Sequence, residues 1–220
     1  MGLETLAPVT FIRQSIKDFR NTGAIVPSSP FLARAMVRCL PRRSHVPAGY
    51  RVLEVGPGTG PFTEAVAKRL SLNGHLDLYE ISEMFARHLE ERLAKEKCFR
   101  ALQGRVRVFC ADVREVPAKP VYDAVISGLP FNNFTPTEVR QFLEHLRAVL
   151  KPGGTLSFFE YIGIRRLQAP FVSTTRRNNL GGIRKVVKEF SKRYQFKEDL
   201  VPLNLPPARV RHFRFQKGSI

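Results

Sequence analysis

Residues 52–60 read Val-Leu-Glu-Val-Gly-Pro-Gly-Thr-Gly. A short apolar run rich in β-branched residues leads into glycines at 56, 58 and 60, and Pro61 follows at once. RVLEVG (51–56) predicts a strand. Pro61 suits the first turn of a helix, and FTEAVAKRL carries apolar residues at helical spacing. Glycines between such a strand and helix let the backbone turn tightly and come close to a ligand. The same alternation continues outward. HLDLYEI (75–81) predicts a second strand, with Ser82 as N-cap of SEMFARHLEERLAKEK. RVRVFCAD (105–112) and YDAVISGLP (122–130) predict the third and fourth strands. Thr135, Pro136 and Glu138 combine a capping box with a helix-starting proline ahead of VRQFLEHLRAVL. KPGG (151–154) predicts the stop of that helix, and TLSFFEYIG a fifth strand. Strand and helix in turn imply an α/β, Rossmann-like fold: a mostly parallel sheet with helices on both faces, binding its ligands beyond the carboxyl ends of the strands. A helix over 183–194 and two strands around the turn Asn204-Leu205-Pro206-Pro207 predict a C-terminal antiparallel hairpin.

A glycine-rich turn of this kind fits a dinucleotide or S-adenosylmethionine, and three features favour the latter. Glu54 precedes the glycines, where it holds the loop or meets the cationic amino-acid end of the ligand. Pro57 removes an N–H from a loop that a pyrophosphate would need rich in donors. Glu80 and Asp112 close strands two and three, the first suited to ribose hydroxyls and the second to an adenine amino group. Glu80 alone would serve NAD equally well.

The chain has 220 residues, enough for one domain with its own core. Cys39, Cys98 and Cys110 form no CxxC pair and are expected to be reduced thiols, neither a disulfide frame nor a zinc site. No apolar run approaches the roughly 20 residues of a membrane span, and Glu4 and Pro8 interrupt the start of any signal peptide. The charge is +17 overall, from 36 basic and 19 acidic residues. Residues 1–50 carry 7 basic and 2 acidic, residues 51–150 carry 14 and 13, and residues 151–220 carry 15 and 4. A nearly neutral middle between basic ends attracts a polyanion, either nucleic acid or an anionic membrane. The plainer alternative is solubility, which does not require segregation.

Val9, Ile12, Ile16 and Phe19 fall on one helical stripe with Phe11 alongside, and Arg13, Gln14, Lys17 and Arg20 fall away from it. Such a helix lies in a membrane interface or packs on the domain by its stripe. Ser29-Pro30 predicts a cap and first turn for FLARAMVRCL.

Three stretches carry a narrower likeness: FRNTGAIVPSSPFLARAM (19–36), VLEVGPGTGPFT (52–63) and SGLPFNNF (127–134). With them residues 51–160 resemble a class I S-adenosylmethionine-dependent methyltransferase, and the chain is similar to the bacterial phospholipid N-methyltransferases. The resemblance implies a seven-stranded sheet and two parts: an amphipathic and a cofactor-covering helix over 1–48, then a methyltransferase domain over 49–220 with a basic insertion at about 163–194. It implies S-adenosylmethionine as methyl donor, held by Glu54, Gly56, Gly58, Gly60, Glu80, Ile81, Asp112, Val113, Ser127 and Gly128, with Ser28 and Ser29 as neighbours from the Pro-Ser-Ser-Pro link. It also implies stepwise methylation of phosphatidylethanolamine toward phosphatidylcholine, without metal, by a monomer docked on the inner face of the cell membrane through Phe11, Ile12, Arg13, Ile16, Lys17, Phe19 and Arg20. An amine on another headgroup, such as ornithine lipid, fits the same pattern.

The rival acceptor is an adenine of nucleic acid, as in the ribosomal RNA dimethylases. That family carries Asn-Leu-Pro-Tyr or Asn-Pro-Pro-Tyr where this chain has Gly128-Leu129-Pro130-Phe131. With glycine at the first position no side chain accepts from a planar amine, and the small helical domain of that family is not expected here; nucleic acid is therefore disfavoured. For chemistry, Tyr161 is the favoured proton acceptor, with Glu160 and His212 as further candidates. Phe131 and Phe134 would form an aromatic wall with it, attracting a nitrogen that gains positive charge. Asn132 or Asn133 would accept from the amine. Arg165, Arg166, Arg176 and Arg177 would anchor the lipid phosphate.

Overall fold

A computed structural model describes residues 28–70, 74–162 and 174–216, with the side chains of 101 and 174–176 left out. The expected interfacial residues Phe11, Ile12, Arg13, Ile16, Lys17, Phe19 and Arg20, together with Arg165, Arg166 and the Arg176 side chain, lie outside the described set.

Seven strands form one sheet: β1 (Tyr50–Val55), β2 (Gly74–Tyr79), β3 (Val106–Phe109), β4 (Tyr122–Ser127), β5 (Leu150–Tyr161), β6 (Gln195–Val201) and β7 (Ala208–Arg214). Their order is β3-β2-β1-β4-β5-β7-β6. The first five are parallel, and β7 runs antiparallel between β5 and β6. The order reverses between β1 and β4, which places a ligand crevice beyond their carboxyl ends.

Strand alternation divides the core in two. Val52, Ala124, Ile126 and Val210 face one side, under α1 (Pro30–Met36) and α2 (Pro61–Arg69). Leu53, Val125, Leu156, Phe158 and Phe213 face the other, under α4 (Pro136–Ala148) and α5 (Thr174–Tyr194). Helix α3 (Glu83–Lys95) completes the set. Two of the three expected caps are made: Ser29 caps α1 by accepting from Leu32 N–H, and Thr135 with Glu138 forms both halves of a capping box on α4, whereas Ser82 holds the N-cap position of α3 without a side-chain bond, its N–H donating to Glu80.

Two boundaries differ most from expectation. The Lys-Pro-Gly-Gly run lies inside β5, because Gly153 N–H donates to Phe215 O at 2.7 Å and Phe215 N–H to Gly154 O at 3.2 Å. Helix α5 starts nine residues before the expected 183, running through Gly181 and Gly182. A Cβ at Gly182 would stand 2.5 Å from Pro136 Cγ, so the glycine lets α5 press on the start of α4; packing overrides poor helix propensity there. Between β3 and β4 only a 3-10 turn, Val113–Glu115, appears. The stripe of α5, Ile183, Val186, Val187, Phe190 and Tyr194, is buried in the core.

Candidate active site

The glycine loop has the strained geometry its composition allows. Gly56, Gly58 and Gly60 take φ of 65°, 57° and 84°, where L side chains are disfavoured. Nothing lies within 4 Å of the place a Gly58 Cβ would fill, so that stretch of loop is open to a ligand. Gly60 is closed instead: a Cβ would meet Arg92 Nη1 at 2.8 Å and Leu89 Cδ2 at 2.9 Å. Arg92 donates to Thr59 O at 2.6 Å and pairs with Glu96, bracing the loop from α3. The sequence gives no sign of this support, since an arginine on a helix face has many uses.

Glu54 is fully buried. Its Oε1 accepts from Thr63 Oγ–H at 3.1 Å, tying β1 to α2, while Oε2 has no hydrogen-bond partner. Burial pushes its carboxyl up to about 8, helped by the charge of Glu80 and opposed by the Thr63 hydrogen bond. A buried oxygen left without a donor suits a ligand cation, so Glu54 ties β1 to α2 through Oε1 and would have Oε2 left for the ammonium of a bound amino acid. Glu80, closing β2, accepts from Gly58 N–H at 3.0 Å and Ser82 N–H at 2.9 Å, and burial raises its carboxyl pKa. It thus shapes the loop it was expected to complement. Asp112 is already engaged: it caps the 113–115 turn and takes three bonds from Arg114. Burial would raise its pKa, but these bonds and the guanidinium charge bring it down. Ile81 is half-buried and Val113 buried against the same core.

The post-β4 loop presses on the glycine loop. Gly128 N–H donates to Val55 O at 2.8 Å, and a Cβ on Gly128 would stand 2.5 Å from Gly56 O. A side chain here is excluded by backbone. Leu129 Cδ2 in turn lies 3.2 Å from the place of a Gly56 Cβ, and Ser127 is buried at the strand end. Phe131 and Phe134 are buried, the first 5.2 Å from the Phe158 ring, the second 5.0 Å from Phe142. Asn132 is exposed and Asn133 half-buried. Asn179 of α5 donates to Phe134 O at 2.8 Å and pins the loop, a role invisible before the helix is folded onto it.

The expected aromatic wall is divided by the sheet. Tyr161 packs edge-on to Phe159 at 5.1 Å, and Phe159 to Phe62 of α2 at 5.7 Å. Phe158 and Phe159 point to opposite faces, so Phe131 lies on one side and Tyr161 on the other. Burial raises the Tyr161 pKa, which keeps its phenol protonated at neutral pH and leaves it an acceptor through its lone pairs. Glu160 is paired to Arg211 at 2.7 Å. His212 is fully buried between Ser157 Oγ at 2.7 Å and Asp199 at 3.1 Å, and burial lowers its pKa. A neutral ring then donates from Nε2 to Asp199 and accepts at Nδ1 from the serine hydroxyl. That line of Ser, His and Asp is structural, since Ser157 is itself buried. Ser29 caps α1 and donates its N–H to Asn204 Oδ1 at 3.0 Å, with Ser28 beside it. Arg177 is exposed near the start of α5.

Residues 52–154 match the model of a family described as a methyltransferase domain. The chain is 31% identical over 147 residues to an ornithine lipid N-methyltransferase of Singulisphaera acidiphila, covering 67% of this chain and 74% of that protein. It is 27% identical over 176 residues to the ubiquinone/menaquinone biosynthesis C-methyltransferase UbiE of Chromobacterium violaceum, covering 80% and 69%. Among solved structures, an O-methyltransferase from Bacillus cereus in complex with SAH superposes with a TM-score of 0.61 over 93% of this chain and 90% of that one, at 13% identity, a likeness of fold alone.

Proposed function

The chain belongs to the S-adenosylmethionine-dependent methyltransferases, and from that premise we propose that it methylates the headgroup amine of an aminolipid at the inner face of a membrane. The observation that carries the reading is the closed position at Gly128. A planar nucleobase amine needs a side-chain acceptor there, and the Gly56 carbonyl leaves room for none. A lipid amine is tetrahedral and basic and needs no such polarisation once its proton is gone. Ornithine lipid is placed first, on the likeness to the Singulisphaera enzyme. Phosphatidylethanolamine, methylated toward phosphatidylcholine, stands second, on the Pro-Ser-Ser-Pro and SGLPFNNF stretches.

The bound cofactor supplies an activated methyl group to an in-line displacement. The chain's part is to hold, orient and desolvate. The glycine loop offers backbone and open space, Glu54 a buried carboxyl that ionises against the ligand's ammonium, and Glu80 a fixed loop shape. The amine arrives protonated at neutral pH and must shed its proton to solvent; the Tyr161 phenol, kept protonated by burial, cannot take that proton and would serve only as a hydrogen-bond partner. Arg177 and its neighbours in sequence would take the headgroup anion, and a guanidinium accepts a phosphate or an amino-acid carboxylate equally. The test is incubation with methyl-labelled S-adenosylmethionine and anionic vesicles containing ornithine lipid or phosphatidylethanolamine, with total RNA in parallel. Label in lipid is expected. Label in RNA alone would reverse the assignment.

A further inference from the structure

Seven large apolar side chains are exposed among the described residues, and five gather at one end of the sheet: Phe31, Ile162, Leu200, Leu203 and Leu205. Chance scatter would spread them over the surface. Phe31 is 48% exposed, Ile162 39%, Leu203 68% and Leu205 74%. Hydrogen bonds bring their backbones together. Ser29, two residues before Phe31, donates to the side chain of Asn204, which lies between the two leucines. Ile162 N–H donates to Pro207 O at 2.7 Å, and Asn204 Nδ2 to Pro206 O at 2.7 Å. Because β7 runs antiparallel to β5, the β6–β7 turn lies at the carboxyl ends of the parallel strands, the same end of the sheet as the glycine loop and the 127–134 loop.

From this geometry we infer that the rim formed by Phe31, Ile162, Leu203 and Leu205 is a membrane-docking surface that turns the ligand crevice toward an anionic lipid leaflet. The inference rests on the aminolipid reading for its purpose but stands on its own observations. Leucines on a short hairpin turn enter the headgroup region without unfolding anything, because their side chains make no core contact. Asn204 is buried and satisfied beneath them, so the turn is a stiff wedge. Arg34 is exposed one helical turn beyond Phe31, on the same face of α1. A cation beside an apolar anchor favours an anionic surface over a neutral one. An apolar protein partner would not require the chain's +17 charge. A rim at the crevice's end of the sheet also lets a headgroup amine approach while its acyl chains stay in the bilayer.

The test compares wild type with Leu203→Ser/Leu205→Ser on vesicles of phosphatidylglycerol with and without ornithine lipid. The double variant is expected to lose about tenfold in vesicle partitioning. Its melting temperature, its affinity for S-adenosylhomocysteine and its turnover of a monomeric short-chain aminolipid should stay unchanged. Arg34→Glu should weaken binding to anionic vesicles and leave neutral ones alone. Wild-type protein that does not bind vesicles, or a double variant that binds like wild type, overturns the rim. Leucine-dependent vesicle binding with no methylation of ornithine lipid, or of phosphatidylethanolamine put in its place, upholds the rim and refutes the aminolipid reading.

Discussion

Gly128 has no Cβ because the Gly56 carbonyl oxygen stands where one would go. Overpacking against backbone cannot be relieved by a rotamer change, and it costs about 1–3 kcal/mol when the chain yields at all. The loop that must yield is the one that binds the cofactor. Gly128→Ala should therefore weaken S-adenosylhomocysteine binding by about tenfold or more, read by calorimetric titration, while the fold survives. Gly128→Asn, which installs the residue of the nucleic-acid adenine enzymes, should abolish activity and not redirect it to RNA; unchanged affinity in both would mean the two loops are not in contact. Glu54 makes a pH-dependent prediction. With its carboxyl pushed up to about 8, the folded apoprotein holds a proton that the unfolded chain sheds above about pH 4.5. Its contribution to stability is full below that point and declines as pH rises through 8. A bound ammonium favours the ionised form, so cofactor affinity should strengthen as pH rises from 6 to 8, by up to about tenfold per unit. Glu54→Gln should flatten that profile, and an unaltered profile would remove Glu54 from the ligand's ammonium.

Besides the β5–β7 ladder and the packing of α1, one buried histidine ties the hairpin to the parallel sheet and, through Asp199, to the end of α1. His212 on β7 touches Ser157 of β5 and Asp199 of β6, and Asp199 also binds Arg38 just beyond α1. Burial depresses its pKa, so the folded state resists the proton that the unfolded chain accepts below about pH 6.5. Stability is full above that value and is lost as pH falls through the folded one. Thermal melts should drop on acidification below pH 6.5, and His212→Gln should lessen the drop; a parallel decline in the variant would place the acid sensitivity elsewhere. At this scale much was legible before folding. Strand-turn-helix order, the Ser29 and Thr135 caps and the closing hairpin follow from local chemistry. What was not legible depends on distant partners. Gly181 and Gly182 read as a break because nothing local announces Pro136. Lys-Pro-Gly-Gly reads as a turn because its partner is Phe215, some 60 residues on. Phe131 and Tyr161 read as one wall because spacing alone cannot show that Phe158 and Phe159 send them to opposite faces.

For the whole molecule, a methyltransferase domain and its cofactor were readable from the strand-turn-helix order and the glycine loop, and the family match over residues 52–154 agrees. The supports of that site, Thr63, Arg92 and Asn179, were not readable, since each acts through a contact made only in three dimensions. Charge segregation pointed to a polyanion without choosing one. The choice rests on a neutral acceptor loop with no room for a side chain, and on an apolar rim at the same end of the sheet. The most direct measurement lets the enzyme choose its own acceptor. Purified protein and isotopically labelled S-adenosylmethionine are incubated with a total bacterial extract of lipid, quinone and RNA, and the products are identified by mass spectrometry. The account predicts methyl groups added to the headgroup amine of an aminolipid, with the acyl chains unchanged. Methylation confined to a quinone ring or to a nucleoside would contradict it.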